Sequence, residues 1–372
     1  MRFRVERDDF ADAVAWTARS LPARPAVPVL SGLRLEVKGH GLTLSGFDYE
    51  VSAQASLDVQ AEEAGTVVVL GRLLSEITRS LPVAPVQIET DGARAVLTCG
   101  SARFTLPTMP VEDYPTLPDM PPAAGTIASD AFAAAVAQVF VAAGRDDTLP
   151  VLTGIRVEID GDTLTLAATD RYRLGVRELK WRPAEGAEAA TALIPARTIN
   201  DAAKTLATTG AEVAIALGNG AQGEGMAGFA GGTRRTTTRL LDGEFPKYRS
   251  LFPADFSSVA KVNTTALVDA IKRVALVLER NTPLRVSLGP DALVLDAGAG
   301  DSAQASESIE AGYEGEPMTI AFNPGYLLDG LGAIGSDEAE LSFNGPVKPA
   351  VITGKDTEAD YRYLLMPVRL SG

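Results

Sequence analysis

The chain has 372 residues, 46% hydrophobic and 22% charged, with 34 Lys and Arg against 48 Asp and Glu, a net charge of −14 and a pI near 4.7. One cysteine, Cys99, excludes an internal disulfide or a thiolate metal cluster, and no run of about 18 apolar residues is present to span a bilayer. The average charge opposes a polyanionic partner, so phosphate binding would require cations gathered on one face.

The N-terminus, MRFRVERDDF, is charged where a signal peptide would be apolar, and a cytoplasmic protein without a membrane partner is expected. The first predicted element is an amphipathic helix with Phe10, Ala13 and Val14 on one face and Asp8 or Asp9 as its N-cap. Pro25 and Pro28 predict an extended segment after it. A hairpin signal follows, Leu33–Val37 and Leu42–Leu44 about the turn Gly39-His40-Gly41. A second half-unit has a strand at Thr66–Leu70, a helix at Arg72–Leu81, and strands at Val86–Glu89, Ala95–Thr98 and Arg103–Leu106. The Pro-rich stretch 107–125 then reads as a linker.

Beyond the linker the pattern returns. Phe132 falls on Phe10, Pro150-Val151-Leu152 on Pro28-Val29-Leu30, Gly154 on Gly32 and Asp170 on Asp48, always 122 positions on (154 − 32, 170 − 48). The second copy has a hairpin over Ile155–Leu166, a strand at Thr191–Ile194, a helix at Arg197–Leu206, and strands at Val213–Leu217 and Thr236–Leu241. A second linker is read at 243–253. A diverged third copy opens at 264–288, with Leu284-Arg285-Val286 in place of Ile155-Arg156-Val157, and continues through Met318–Phe322, Tyr326–Ile334, Glu340–Phe343 and Tyr361–Pro367. Three tandem domains follow, at 1–120, 121–253 and 254–372, each of small-domain size. Each is read as two helix-plus-antiparallel-sheet units, an α+β plan.

Enzyme chemistry is not written here. His40 sits in a hairpin turn, and phosphate-loop, nucleophile-elbow and zinc-helix motifs are missing. The Gly-rich stretch 218–232 reads as a flexible hairpin loop. Asp48 and Asp170 recur by duplication and are read as turn residues. No catalytic residue, metal or cofactor is expected.

Cations do recur. Arg72 and Arg79 on one helix match Arg197 and Lys204, 125 positions on (197 − 72, 204 − 79). A spacing of seven at about 100° per residue puts each pair on one helix face. Arg24 and Arg145 follow the first helix of their copies, and the third copy offers Lys272, Arg273 and Arg280. Without interleaved aromatic residues this pattern suits a phosphate backbone, read without sequence preference.

At this point the chain resembles the bacterial DNA polymerase III beta subunit, the replicative sliding clamp, of actinobacterial type. The likeness spans the whole length and rests on the three-domain repeat and on ATDRYRL at 168–174, FPKYRSLFP at 245–253 and YRYLLMPVRL at 361–370. It implies DNA-clamp domains in a head-to-tail homodimer, six domains closing a ring around duplex DNA. It further implies a non-catalytic processivity factor whose apolar pocket binds peptides of the replicative polymerase alpha subunit, the clamp loader and repair or translesion polymerases. Carried over by motif, that pocket comprises Thr169, Arg171, Tyr172, Arg173, Leu174, Pro246, Leu251, Leu364, Met366, Pro367, Val368 and Arg369, flanked by Leu152 and Tyr326. Arg171-Tyr172 stands where many family members have Gly-His. The dimer interface implied is Phe104 and Leu106 against Val277 and Leu278 of the partner. Two rivals remain: a second-copy clamp conferring resistance to a pocket-binding antibiotic, and a tandem-domain scaffold without a DNA role.

Overall fold

A computed structural model describes residues 1–208, 210, 212–218, 225–279, 282–290, 292–298, 302–355 and 361–369. The chain divides into two compact units. The first holds Met1–Phe132, Arg182–Ala187 and Asp201–Leu240; the second holds Ala133–Trp181, Glu188–Asn200 and Leu241–Gly372. Helices and antiparallel strands alternate throughout, and among the described residues no helix is long and apolar enough to cross a membrane.

The first unit is built on one 14-stranded sheet. Helix α1 (Arg7–Ala18) buries Phe10, Ala13, Val14 and Trp16 and packs on α2 (Gly71–Ser80). The expected Asp8 or Asp9 cap is not made. The N-cap is Glu6, without a side-chain hydrogen bond, and both aspartates lie in the first turn, where they favour the helix dipole. Pro28–Ser31 is a 3-10 turn rather than extended chain, and Pro150–Thr153 repeats it in the second unit. Gly32 follows the first turn and Gly154 the second. A Cβ on Gly32 would come within 2.4 Å of Val68, and one on Gly154 within 2.8 Å of Leu193, so both recur for want of space.

The Pro-rich segment after Met109 is anchored. Tyr114 is buried with Val29, Leu30, Phe47 and Val68, and its hydroxyl donates to the carbonyl of Ser45 at 3.3 Å. Burial pushes that hydroxyl's pKa up to about 12. The Gly-rich stretch 218–232 is only partly loop: Met226–Gly231 is a strand paired with Glu212–Gly218, while 219–224 lie outside the described residues.

The second unit carries one 12-stranded sheet, which runs from Ala190–Pro195 through Gly154–Asp160, Thr163–Thr169 and Arg173–Lys180 to Tyr361–Leu365 and on to Met318–Phe322. Helices α5 (Thr264–Val274) and α6 (Pro324–Ala333) pack together, capped by the Asn263 and Asn323 side chains. Helices α3 (Ser129–Phe140) and α4 (Ala196–Leu206) complete the α-helices among the described residues. A buried cluster of Ala167, Leu174, Val176, Phe245, Tyr248, Val351 and Leu364 forms the floor on which the site rests.

Candidate functional site

The site begins with a turn. Thr163–Thr169 and Arg173–Lys180 form a hairpin, and the Asp170 carboxylate accepts from the backbone N–H of Tyr172 at 3.0 Å and of Arg173 at 3.1 Å. Arg171 stands in this turn with φ of 80°, a left-handed conformation costly for a non-glycine residue. The turn leaves Arg171 and Tyr172 exposed and drives Arg173 inward.

Arg173 is a buried hub. Its guanidinium bonds Asp170 at 3.0 Å and Asp329 of α6 at 2.5 Å, and lies 4.2 Å from the ring centroid of Tyr326. Burial opposes its charge, but the Tyr363 hydroxyl and the Asp329 and Asp170 carboxylates raise its pKa overall. The Tyr326 ring stacks on Tyr172 at 6.3 Å, and the Tyr363 hydroxyl donates to the Tyr326 carbonyl at 2.8 Å. Residues 365–368 are tied down beside this hub. Leu365 pairs with Arg173, Met366 N–H donates to the Tyr172 carbonyl at 2.9 Å, and Val368 N–H to the Ala321 carbonyl at 2.8 Å.

Two cavities share this wall. One, of about 260 Å³, is lined by Thr169, Arg171, Arg173, Leu174, Pro246, Leu251, Pro349, Leu364 and Met366. Its floor is core: Leu174 and Leu364 are buried, and the Thr169 hydroxyl is spent on the Arg173 carbonyl at 2.7 Å. Its rim is apolar and open, with Leu251 50% and Met366 39% exposed. Monomeric surfaces seldom hold large apolar side chains out together, so the rim fits a docking surface better than a core edge. The other cavity, of about 570 Å³, takes Leu152, Tyr172 and Tyr326 from the sequence-derived set and adds Arg145, Asp146, Asn323 and Asp329. Pro367, Val368 and Arg369 line neither cavity.

Leu251 is carried by the 3-10 turn Tyr248–Leu251. Glu158 fixes that turn, bonding the Tyr248 hydroxyl at 3.1 Å, Arg249 at 2.5 Å and Arg156 at 2.5 Å. Burial opposes the Glu158 charge, yet Arg249 and Arg156 hold its pKa below the usual carboxylate value. Pro349 and Asp329 escaped the sequence argument. Pro349 belongs to a further proline-punctuated segment, NGPVKP at 344–349, and Asp329 lies one helical turn beyond Tyr326.

The cations fall into two sets. Arg24, Arg72, Arg79, Arg145, Arg197 and Lys204 are exposed, Arg72 and Arg79 on α2 and Arg197 and Lys204 on α4. Arg145 and Arg197 line one cavity of about 520 Å³. Arg273 is held by Glu307 through bonds of 3.0 and 2.5 Å, and Lys272 lies 3.9 Å from Asp269. Arg280 lies outside the described residues.

Of the expected interface residues, Phe104, Val277 and Leu278 are half-buried. Leu106 is turned inward, 6% exposed, against Leu35, Val67 and Leu97, so its side chain is core. Its strand is still available. Ala102–Met109 pairs with Gly65–Leu70 only through Thr108 and Met109, and among the described residues 102–107 pair on one side alone, with Arg94–Cys99. Ala305–Glu314 is similar: among the described residues 311–314 pair with Ser258–Asn263 alone and 305–310 with Ala292–Ala297 alone. Leu276, next to Val277, is 83% exposed.

Comparison with known proteins follows the repeat. Residues 1–118 match the model of the DNA polymerase III beta subunit N-terminal domain, 126–247 the central domain and 249–369 the C-terminal domain. The chain is 58% identical over 377 residues to a beta sliding clamp of Streptomyces coelicolor, covering all of both chains. It is 47% identical over 375 residues to the beta sliding clamp homolog GriR of Streptomyces muensis, covering 99% of each. Among solved structures, the DNA polymerase sliding clamp of Bacillus subtilis superposes with a TM-score of 0.93 at 27% identity, covering all of both chains.

Proposed function

The chain belongs to the DNA polymerase III beta-subunit family, the sliding clamps, and from that premise we propose that two copies close head to tail into a ring that slides on duplex DNA. Like its relatives it is a non-catalytic processivity factor of DNA replication. The ring comprises six clamp domains, three per protomer at 1–120, 121–253 and 254–372, and works in the cytoplasm.

One observation carries the ring. Each repeat has a strand that follows its second turn (Val51–Asp58, Arg173–Lys180, Ala305–Glu314) and a last strand (Ala102–Met109, Arg234–Arg239, Tyr361–Leu365). Within the chain, Val51–Asp58 pairs with Arg234–Arg239, and Arg173–Lys180 with Tyr361–Leu365. The strands left over are Ala305–Glu314 of the third repeat and Ala102–Met109 of the first, the two with half-open edges. Pairing them between copies repeats the internal joint and removes an aggregation-prone edge. A ring holds DNA by topology, so exposed arginines and lysines touching phosphates suffice and sliding stays easy. Retention on nicked circular DNA, lost on linearisation, tests this; equal retention on both would refute encirclement.

The apolar cavity is the tether. Peptides of the replicative polymerase, the clamp loader and repair polymerases would seat apolar side chains beside Leu174 and Met366 and compete for the one groove. Met366→Asp should abolish polymerase stimulation while the dimer survives; persistence of stimulation in a folded dimer would overturn the assignment. The relation to GriR keeps a second-copy clamp in view, but the higher identity to the Streptomyces coelicolor protein favours the replicative role.

A further inference from the structure

We infer that Arg171 is the residue by which this groove selects among its peptides, favouring those that carry an acidic side chain beside the apolar anchor. The inference rests on the partner-binding role proposed above. Arg171 and Arg173 are the two residues that line both the 260 Å³ and the 570 Å³ cavities, so they form the lip between them. Arg173 is committed: two carboxylates and the Tyr326 ring hold it, and it is buried. Arg171 is exposed and makes no ion pair or side-chain hydrogen bond among the described residues; its guanidinium lies 6.0 Å from the Tyr172 ring centroid.

No acid bonds it among the described residues: Asp170 and Asp329 serve Arg173, and the Asp146 carboxylate, bonded by the Thr148 hydroxyl at 2.6 Å and its N–H at 3.0 Å, meets Arg171 only through space. A peptide seated against Leu174 and Met366 therefore meets, in the lining of the 260 Å³ cavity, one charge without a bonded counter-ion, and that charge is positive. The apolar side chains of a seated peptide would cover the lip and shield Arg171 in part from water, which strengthens a pair with its carboxylate. The backbone adds weight: at φ of 80° glycine would sit without strain, and here a long cation occupies the position at a conformational cost.

The test uses the intact protein and two synthetic peptides, identical save for Asp or Asn immediately before a pair of leucines, titrated by fluorescence anisotropy. The wild type should bind the Asp peptide about threefold more tightly, the size of an exposed-to-half-shielded ion pair, and the ratio should shrink as salt is added. In Arg171→Gly, whose backbone suits the turn, the ratio should fall to about one, and Arg171→Lys should keep part of it. Equal binding of the twins by the wild type, or an Asp preference that survives in Arg171→Gly, would overturn the role of Arg171 alone. Failure of both peptides to bind the wild type would overturn the groove itself.

Discussion

Tyr49 and Arg171 are the non-glycine residues with left-handed backbone among the described residues, at φ of 76° and 80°, and they stand 122 positions apart (171 − 49). Each follows an aspartate that closes a hairpin turn. Asp48 accepts from Glu50 N–H at 3.0 Å and Val51 N–H at 2.6 Å, as Asp170 does from Tyr172 and Arg173. Positive φ at the first central residue of a hairpin turn belongs to the type II′ geometry, which matches the twist of the flanking strands. The aspartates offset the strain by satisfying two backbone donors each. The same turn thus serves two ends: in the first repeat it only closes a hairpin, and in the second it delivers Arg171, Tyr172 and Arg173 to the groove.

Removing the aspartate should expose that strain. Asp170→Ala loses two backbone hydrogen bonds and leaves the buried Arg173 guanidinium with Asp329 as its one carboxylate, so it should destabilise by roughly 2–4 kcal/mol. Arg171→Gly relieves the left-handed residue and should change stability by less than about 1 kcal/mol, in the stabilising direction. Urea denaturation of the second-unit transition measures both, and an Asp170→Ala protein as stable as the wild type would refute the account of the turn.

The hairpins, α2 and the three-fold repeat were legible because alternation and duplication are local signals, and Gly32 and Gly154 announced themselves by recurring. The strands after the turns were harder to read. Arg173–Lys180 begins inside ATDRYRL, where hydrophobic alternation is broken by the buried Arg173 and by Gly175. Pro349 and Asp329 could not be assigned, since their place at the groove depends on pairing between strands far apart in sequence. Leu106 misled for a related reason. Alternation marks which residues share a face, but which face meets the core is fixed by the register Ala95↔Leu106.

Acid should loosen the groove wall through Glu158. Its folded pKa is depressed, so its contribution is full above the ordinary Glu value of about 4.3 and is lost as pH falls through the folded value. Arg249 is well exposed, which screens the pair and keeps the effect to roughly 1 kcal/mol. Glu158→Gln should therefore be less stable than the wild type at neutral pH, and the gap should close at acid pH, as the pH falls through the depressed folded value. Denaturation midpoints of the two proteins at both pH values decide it; a constant gap would mean that ionisation of Glu158 is not involved.

The proposed joint between copies can be broken from either side. Phe104 and Ile309 are half-buried residues on the half-open stretches of their strands, each still paired with its inner neighbour through Leu97 and Leu293. Phe104→Asp and Ile309→Asp should each give monomers in sedimentation with unchanged circular dichroism, because the inner ladders remain. Leu276→Asp, at the exposed apolar residue beside Val277, should weaken the dimer as well. Dimers that persist at low concentration in both strand variants would rule out this edge pairing.

The exposed cations should act as phosphate contacts and nothing more. Each contact to B-DNA contributes about 0.9 to the slope of log affinity against log salt, so replacing Arg72, Arg79, Arg197 and Lys204 by Ala should flatten that slope by up to roughly that amount for each residue that touches DNA. Sequence preference should not change, since backbone contacts carry none. Arg273→Ala is the informative contrast: its charge is already met by Glu307 through two bonds, so its loss should move the slope far less. Loading of the four-residue variant on nicked circular DNA, measured across a salt series, separates the outcomes. An unaltered slope would assign these residues to an ordinary solvated face, and an equal effect from Arg273→Ala would show that pairing with Glu307 does not withhold a cation from DNA.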